Sequence, residues 1–261
     1  MKKLTLLAAA LCFAGTVLAA PITGSDALSD PKKYYSTLDE TVDSVALIPP
    51  PPMPVKAGDP VNDADRIAYE EGLKMRTAER GRQAIIDAAG SKVHIAFQDA
   101  FGVKITEKDT PKLYKFIKHL RSETGSLAPR GAKKKYNRIR PFVYYGQPTC
   151  YKDDEARLSK DGGYPSGHSA RGWAVALILA EINPDNKDAI LERGLDMGRS
   201  RVICGYHWAS DVENARLIGA ANVALLHANP VFMKDLNEVK AEFAALKKAG
   251  KVTFHNKKKF F

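Results

Sequence analysis

The chain has 261 residues, a formal net charge of +10 and hydrophobic residues at 44% of its positions. This length permits one large domain or two small ones with a sizeable core, and we favour one. Beyond the first twenty residues no segment is apolar enough to cross a bilayer, which excludes a multi-span membrane protein. The basic excess indicates nucleic acid, an anionic membrane or an anionic small substrate as partner.

Residues 1–19 are predicted to be a secretory signal peptide. A short cationic start precedes an apolar stretch over residues 4–18, and Val17-Leu18-Ala19 has the small-x-Ala pattern that signal peptidase recognises. Cleavage after Ala19 is favoured over cleavage one residue later, where a proline would follow the scissile bond. A membrane anchor is the alternative, but the stretch is short for a span. We expect a periplasmic mature chain with a charge of +8, because two lysines leave with the signal.

Residues 20–60 are predicted to form an extended, proline-rich arm. Pro49 to Pro52 and Pro54 disfavour a helix and enforce a polyproline conformation. A solvated linker is the alternative. Apolar residues just before the prolines favour an arm that packs on the domain or on a neighbouring subunit; they are Val42, Val45, Leu47 and Ile48.

Residues 61–261 are predicted to form one helical domain, since apolar residues recur at helical spacing and no convincing alternating pattern is present. The first helix is expected to begin at Asp63 as N-cap and to end at Gly90. Ser210 is expected to cap a later helix. The other predicted helices cover 92–101, 109–123, 151–159, 167–182, 185–199, 210–228 and 231–249. The fold class is therefore an all-α, single-domain bundle.

Two cysteines remain in the mature chain because Cys12 leaves with the signal. Cys150 and Cys204 would form one disulfide in an oxidising compartment, and two buried free thiols are the alternative. A bridge would enclose the sequence PSGH and join two of the segments described next.

Three segments combine cations, histidines and small residues: KKKYNRIRP, YPSGH and SRVICGYHWASD. A phosphate ester requires cations and backbone N–H groups around its oxygens, a nucleophile in line with the ester bond, and an acid for the leaving oxygen. The segments contain all three. The candidate cations are Lys133, Arg140 and Arg201, whose arginine forks match phosphate oxygens in pairs.

The candidate helix start and histidines complete this set. Ser166 and Gly167 open a predicted helix, whose N-terminus favours an anion, and His168 follows. His207 and Asp211 are four residues apart, so the carboxylate can orient the imidazole. Each feature alone has an ordinary interpretation as a solvated basic face, a helix start or a surface contact.

Together the segments resemble the signature of the type 2 phosphatidic acid phosphatase (PAP2) superfamily. Eleven residues occur at its prescribed spacings; they are Lys133, Arg140, Pro141, Pro165, Ser166, Gly167, His168, Ser200, Arg201, His207 and Asp211. The arm before a helical domain of about 200 residues, a typical domain size, is similar to bacterial class A non-specific acid phosphatases. The resemblance covers essentially the whole mature chain, and it implies a helical bundle of the PAP2/haloperoxidase type.

By this resemblance, His207 is the nucleophile that becomes phosphohistidine, Asp211 orients it, and His168 protonates the leaving alcohol. The residues implied to hold the phosphoryl oxygens are Lys133, Arg140, Ser166, Gly167 and Arg201. No metal and no cofactor are expected, and no zinc or calcium spacing is present in the sequence. The acidic trio Asp153-Asp154-Glu155 is expected to be solvated. The other histidines are expected to be structural or exposed; they are His94, His119, His227 and His255.

The resemblance implies an acid phosphatase that hydrolyses a broad range of phosphomonoesters, with phosphotransfer to alcohols as a side activity. Vanadate is expected to inhibit it, a homo-oligomer is expected, and neither nucleic acid nor a membrane is an expected partner. Three cations near His207 should outweigh Asp211 and keep the imidazole neutral in mild acid, where His168 is still protonated. The alternatives are a vanadium-dependent haloperoxidase, a non-catalytic periplasmic anion-binding protein, and a lipid phosphatase, whose relatives normally span the membrane.

Overall fold

The computed structural model describes residues 34–37, 40–89 and 92–255, so the predicted signal peptide lies outside the described residues. Within these ranges the regular structure is helical and contains no strand, which confirms the all-α class. The α-helices are α1 (Ser44–Leu47), α2 (Asp63–Lys74), α3 (Ala78–Ala88), α4 (Val93–Phe101), α5 (Pro111–Ser122), α6 (Arg130–Tyr136), α7 (Pro141–Tyr145), α8 (Glu155–Leu158), α9 (Gly167–Ile182), α10 (Lys187–Ile203), α11 (Ala209–His227) and α12 (Pro230–Lys248). None of the described helices is long and apolar enough to cross a membrane.

Helix α9 lies at the centre of the bundle. It is apolar on nearly every side and packs between α10 and α11, as expected of a helix with no solvent face. The α9–α10 contact is close, because a Cβ at Gly194 of α10 would lie 2.5 Å from the Cβ of Ala176. A larger residue at this position would push the two helices apart.

Phenylalanines fill the side of the bundle between α4, α5 and α12. Phe97, Phe116 and Phe232 are at most 2% exposed and belong to one continuous core cluster. Burial of such side chains is the main favourable contribution to folding, about 1.5–3 kcal/mol for each. The same cluster includes Ile178 and Leu179, so it also holds the C-terminal half of α9 in place.

The first predicted helix is wrong in one respect: it is two helices. Helix α2 ends at Lys74, and Thr77 is extended; its hydroxyl accepts the N–H of Arg80 at 3.2 Å and caps α3. Asn62, one residue before Asp63, caps α2. Threonine at a helix start competes with continuation of the preceding helix. The predicted end at Gly90 lies outside the described residues.

Two further boundaries differ from the predictions. Helix α10 runs to Ile203 and so includes Arg201, which the prediction left beyond the helix end. Helix α11 begins at Ala209, and Ser210 lies in its first turn instead of capping it. The Ser210 hydroxyl donates to Asp65 Oδ2 at 2.6 Å, and its N–H donates to Asp65 Oδ1 at 2.9 Å. Asp65, which is distant in sequence, therefore binds the serine that was predicted to cap the helix. Helices α1, α6 and α7 were not predicted, and α1 lies within the segment predicted to be an extended arm.

The described part of the arm packs on the domain. Ile48 is buried against α6 and α11 together with Val42 and Val45, whereas Leu47 is 43% exposed. The Tyr164 hydroxyl donates to the carbonyl of Pro49 at 2.6 Å. The apolar residues thus serve the domain core, except Leu47, because the one-turn helix α1 rotates it outward.

Cys150 and Cys204 form a disulfide, with Cα atoms 4.9 Å apart, which confirms the predicted pairing. The Cys150 N–H also donates to the carbonyl of Cys204 at 3.3 Å. The bridge fastens the segment after α7 to the end of α10, and Arg201 lies three residues before Cys204. A loop of this length is stabilised by about 4 kcal/mol in the chain-entropy account.

Candidate active site

The three signature segments meet around one cavity of about 890 Å³. Residues from different parts of the fold line it, including Lys133, Arg140, Gly167, His168 and His207. The other predicted site residues are fully buried and lie behind this lining; they are Ser166, Arg201 and Asp211. The structure therefore brings all eight predicted residues to one place, in the lining or directly behind it.

His207 is held between a carboxylate and a guanidinium. Its Nδ1 lies 3.2 Å from Asp211 Oδ2, and its Nε2 lies 3.0 Å from Arg140 Nη1. Arginine has only donors, so Nε2 must present its lone pair and Nδ1 must carry the hydrogen. This tautomer is the one required of a nucleophile at Nε2.

Charge and burial keep this imidazole neutral. Burial lowers the pKa of His207 well below its ordinary value, and the charges of Arg140, Lys133 and Arg201 lower it further. Burial contributes most to this lowering, and the three cations act in the direction predicted from the sequence. A neutral imidazole retains the lone pair that attack on phosphorus requires.

Asp211 is oriented by residues that the sequence analysis did not find. Arg138 Nη1 donates to Asp211 Oδ1 at 2.7 Å, and Arg138 Nη2 donates to Asp65 Oδ2 at 2.8 Å. All three side chains are at most 2% exposed. The Trp208 N–H donates to Asp211 Oδ2 at 3.1 Å. A charge-assisted bond from each side fixes the carboxylate that aims His207.

Lys133 and Arg140 are held mainly by carbonyl groups. Lys133 Nζ donates to the carbonyl of Gly162 at 2.7 Å. Arg140 donates to the carbonyls of Asp161, Gly162 and Tyr206 at 2.8–3.1 Å. The Asp161 carboxylate is the nearest anion, 3.3 Å from Arg140, but it is 47% exposed. Carbonyls position the cations without neutralising them, so the cavity keeps a positive field.

Arg201 is the least satisfied cation of the site. It is 0% exposed, and no nitrogen of its guanidinium has a hydrogen-bond partner among the described residues. The ring of Tyr206 lies 4.2 Å from its central carbon. Burial lowers the pKa of Arg201 to about 9. A buried guanidinium without partners is costly, and an anion with several acceptor oxygens would remove this cost.

The start of α9 supplies backbone N–H groups at the cavity. Gly167 is the first residue of α9, and a Cβ there would lie 2.3 Å from the carbonyl oxygen of Gly125. No other residue type fits. Ser166 caps the helix by accepting the Ser169 N–H at 3.3 Å, and its hydroxyl keeps its own hydrogen for another acceptor. Helix starts of this kind favour anions.

His168 follows in the first turn of α9 and lines the cavity. Its Nε2 lies 3.0 Å from the carbonyl oxygen of Ala88, so Nε2 carries a hydrogen. Burial lowers the pKa of His168 well below its ordinary value, and the charges of Arg201 and Arg171 lower it further. Burial and these charges thus oppose the imidazolium in the substrate-free protein, against the prediction of a protonated His168.

The acidic trio differs from its prediction. Glu155 accepts the N–H of Thr149 at 2.6 Å and its hydroxyl at 2.7 Å. Asp154 pairs with Arg157 and lines the cavity, so only Asp153 has the expected solvated role. Among the described residues no group of three or more His, Cys, Asp or Glu could hold a metal ion. The remaining histidines do not line this cavity; they are His94, His119, His227 and His255.

Comparison with known proteins gives consistent matches. A family profile described as the PAP2 superfamily matches residues 123–232. The chain is 50% identical over 251 residues to the non-specific acid phosphatase of Providencia stuartii, covering 95% of this chain and 100% of that protein. It is 42% identical to the non-specific acid phosphatase of Salmonella typhimurium over 80% of this chain and 83% of that one. An acid phosphatase of Zymomonas mobilis is 34% identical over 87% of this chain and 85% of its own length.

Proposed function

Because the chain belongs to the PAP2 superfamily, among its bacterial acid phosphatases, we propose that it hydrolyses a broad range of phosphomonoesters through a phosphohistidine on His207. The observation that carries this proposal is the position of His207. Its Nε2 lone pair faces the cavity cations, and Asp211 holds Nδ1 at 3.2 Å. The partnerless donors of Arg201, whose charge acts on His207, support the same proposal.

In the first step His207 Nε2 attacks phosphorus, so a P–N bond forms as the ester P–O bond breaks. Developing charge on the phosphoryl oxygens is met by Lys133, Arg140 and Arg201 and by the first N–H groups of α9. Asp211 stabilises the positive charge that appears on the imidazole. The leaving oxygen takes a proton from His168 and departs as the alcohol.

The proton on His168 arrives with the substrate. A bound phosphate anion offsets the charges of Arg201 and Arg171, which lower the pKa of His168 in the empty cavity. A phosphomonoester monoanion carries the required proton, because the second pKa of such esters is about 6. This coupling favours mildly acidic conditions.

In the second step water attacks the phosphohistidine. His168, now neutral, accepts a proton from this water as the P–N bond breaks, and inorganic phosphate leaves. His207 returns to its starting tautomer, held by Asp211 and Arg140. A competing alcohol in place of water would give phosphotransfer, which we propose as a side activity.

The same proposal includes the setting of the enzyme. We propose, from the sequence pattern, that residues 1–19 are a signal peptide for export to the periplasm. The arm then covers residues 20–60 and the catalytic domain residues 61–261. From the family we also propose a homo-oligomer. Vanadate is proposed as an inhibitor because its trigonal-bipyramidal adduct with His207 would resemble the transferring phosphoryl group. Neither a metal nor a cofactor has a part in these steps.

The proposal is tested with the purified mature chain and p-nitrophenyl phosphate in excess EDTA. We expect multiple turnovers, inhibition by vanadate, and an acid-labile phosphoenzyme after rapid quenching. Binding of phosphate without turnover would instead indicate an anion-binding protein. Oxidation of bromide by the vanadate-loaded chain, without phosphatase activity, would indicate a haloperoxidase.

The pH dependence is expected to report Lys133. Burial and then Arg140 lower its pKa to about 7, and a lysine is charged below its pKa. As the pH rises through this value, the free enzyme loses one phosphate-binding cation, so kcat/KM for p-nitrophenyl phosphate should fall about tenfold per unit. Lys133→Arg, whose charge persists, should move this descending limb to higher pH.

The measurement is kcat/KM from about pH 4 to about pH 9 for both proteins, because kcat/KM reports the free enzyme. The kcat profile should shift less, since bound phosphate raises the pKa of Lys133 in the complex. A descending limb at the same pH in both proteins would contradict the role of Lys133.

A further inference from the structure

One wall of the cavity carries cations to which the mechanism above assigns no contact with the substrate. Arg121 lies near the C-terminal end of α5, and Arg171 lies on α9, three residues after His168. Both residues line the same cavity as His207. We call Arg121 and Arg171 the arginine wall.

Arg171 has a fixed position without a carboxylate partner. It is 8% exposed, and its Nε donates to the carbonyl of Arg121 at 3.1 Å. Its guanidinium lies against the backbone of Gly125, where a Cβ would be 2.6 Å from Nε. Burial and the charge of Arg121 lower the pKa of Arg171 to about 10. Among the described residues no ion pair joins either arginine to a carboxylate.

Two neighbouring like charges, of which Arg171 is buried, are unfavourable unless an anion joins them. The salt bridges elsewhere in the described structure show the usual solution, as at Arg193 and Asp87. The arginine wall instead faces a cavity. Within the Arg171 guanidinium only Nε has a hydrogen-bond acceptor among the described residues, so its Nη groups can donate to the oxygens of a ligand.

The wall lies close to the reacting centre. Residues three apart on a helix share a face, so the Cβ atoms of His168 and Arg171 are about 5–6 Å apart. Arg171 is near enough that its charge lowers the pKa of His168. An anion on Arg171 would thus lie near His168, in the same cavity as His207.

We propose that the arginine wall binds a second phosphate group, so that small organic bisphosphates with a short alcohol skeleton are preferred substrates. This inference rests on the proposed phosphatase function. The chemical step is unchanged: one P–O ester bond breaks and inorganic phosphate leaves. The second phosphate stays on the product, an alcohol monophosphate. Phosphate suits the wall because a dianion matches two guanidinium groups and accepts from each in a bidentate manner.

The test compares propane-1,3-diol bisphosphate with 3-hydroxypropyl phosphate, which present the same alkyl ester. We expect kcat/KM of the unaltered enzyme to be higher for the bisphosphate by about tenfold or more, mostly through KM. This exceeds the factor of about two that follows from having two equivalent esters. The readout in each variant is the ratio of the two kcat/KM values, which cancels effects on the shared chemical step.

Arg171→Gln and Arg121→Gln should each reduce the ratio towards the statistical factor. Arg171→Lys should keep part of the preference, since the charge remains and the fork is lost. Lys234→Gln removes one exposed positive charge on α12, away from the cavity, and should leave the ratio unchanged. Arg121→Gln keeps the test valid if Arg171→Gln does not fold, because Arg121 is only half-buried.

Equal kcat/KM values for the two substrates in the unaltered enzyme would overturn the inference, as would a preference that survives both glutamine variants. An equal preference for 3-phosphooxypropanoate, which carries a carboxylate instead, would overturn the specificity for phosphate. Absence of p-nitrophenyl phosphate turnover in the unaltered enzyme would instead overturn the proposed function. The two proposals therefore fail by different results.

Discussion

Replacement of His207 by alanine should abolish turnover of every phosphomonoester, with kcat/KM falling by at least ~10⁴-fold. The substitution removes the atom that attacks phosphorus, so no choice of leaving group can restore the rate. The same variant should give no acid-labile phosphoenzyme. The measurement is rapid quenching with a radiolabelled ester, followed by counting of protein-bound phosphate under alkaline conditions.

Two further variants make this result specific. His255→Ala alters a histidine that is exposed and bonded to the carbonyl of Asp99, and it should retain full activity. Asp211→Asn should lie between the two, because the imidazole remains but loses its anionic partner. A phosphoenzyme in His207→Ala would refute the assigned nucleophile.

Replacement of His168 by alanine should act selectively. The rate on alkyl phosphates, whose alkoxide leaving groups are strongly basic, should fall by about 10²–10⁴-fold, whereas p-nitrophenyl phosphate should lose much less. The p-nitrophenolate ion is a weak base and departs with little help from an acid, so cleavage of the P–O bond in this ester depends little on His168. The measurement is kcat/KM over a series of esters with leaving groups of widely different pKa.

The slope of this series is the informative quantity. In the unaltered enzyme the dependence on leaving-group pKa should be shallow, because His168 supplies the proton, and in His168→Ala it should become steep. The variant should also accumulate phosphoenzyme if water attack needs the same residue. Equal losses for all leaving groups would remove the acid role from His168 and leave the role of His207 untouched.

Local spacing determined how much of the site could be predicted from the sequence. Gly167 to Ile182 form a helix at the predicted bounds, because an apolar run follows a serine cap. The eight predicted site residues belong to short motifs, which can be recognised from the residue spacing alone. The sequence leaves a disulfide and two free thiols as alternatives for Cys150 and Cys204, and the structure shows the disulfide.

The missed residues owe their positions to tertiary contacts. Asp65 lies more than seventy residues before its partner Arg138 in the chain, so no local pattern links them. Arg138 occurs two residues before Arg140, and an extended segment places such residues on one side, but its carboxylate partners could not be identified. The sequence predicts Ser210 as a helix cap, since nothing in it shows that the serine hydroxyl donates to Asp65.

The contact between Arg138 and the arm sets the minimal unit that can be produced in active form. Arg138 Nε donates to the carbonyl of Pro54 at 3.0 Å, and the Ile139 N–H donates to the carbonyl of Val55 at 2.7 Å. A recombinant chain that started at the first long helix would lack both acceptors. The guanidinium that fixes Asp211 would then lose a support, so truncated versions intended for biotechnology should retain the proline-rich segment.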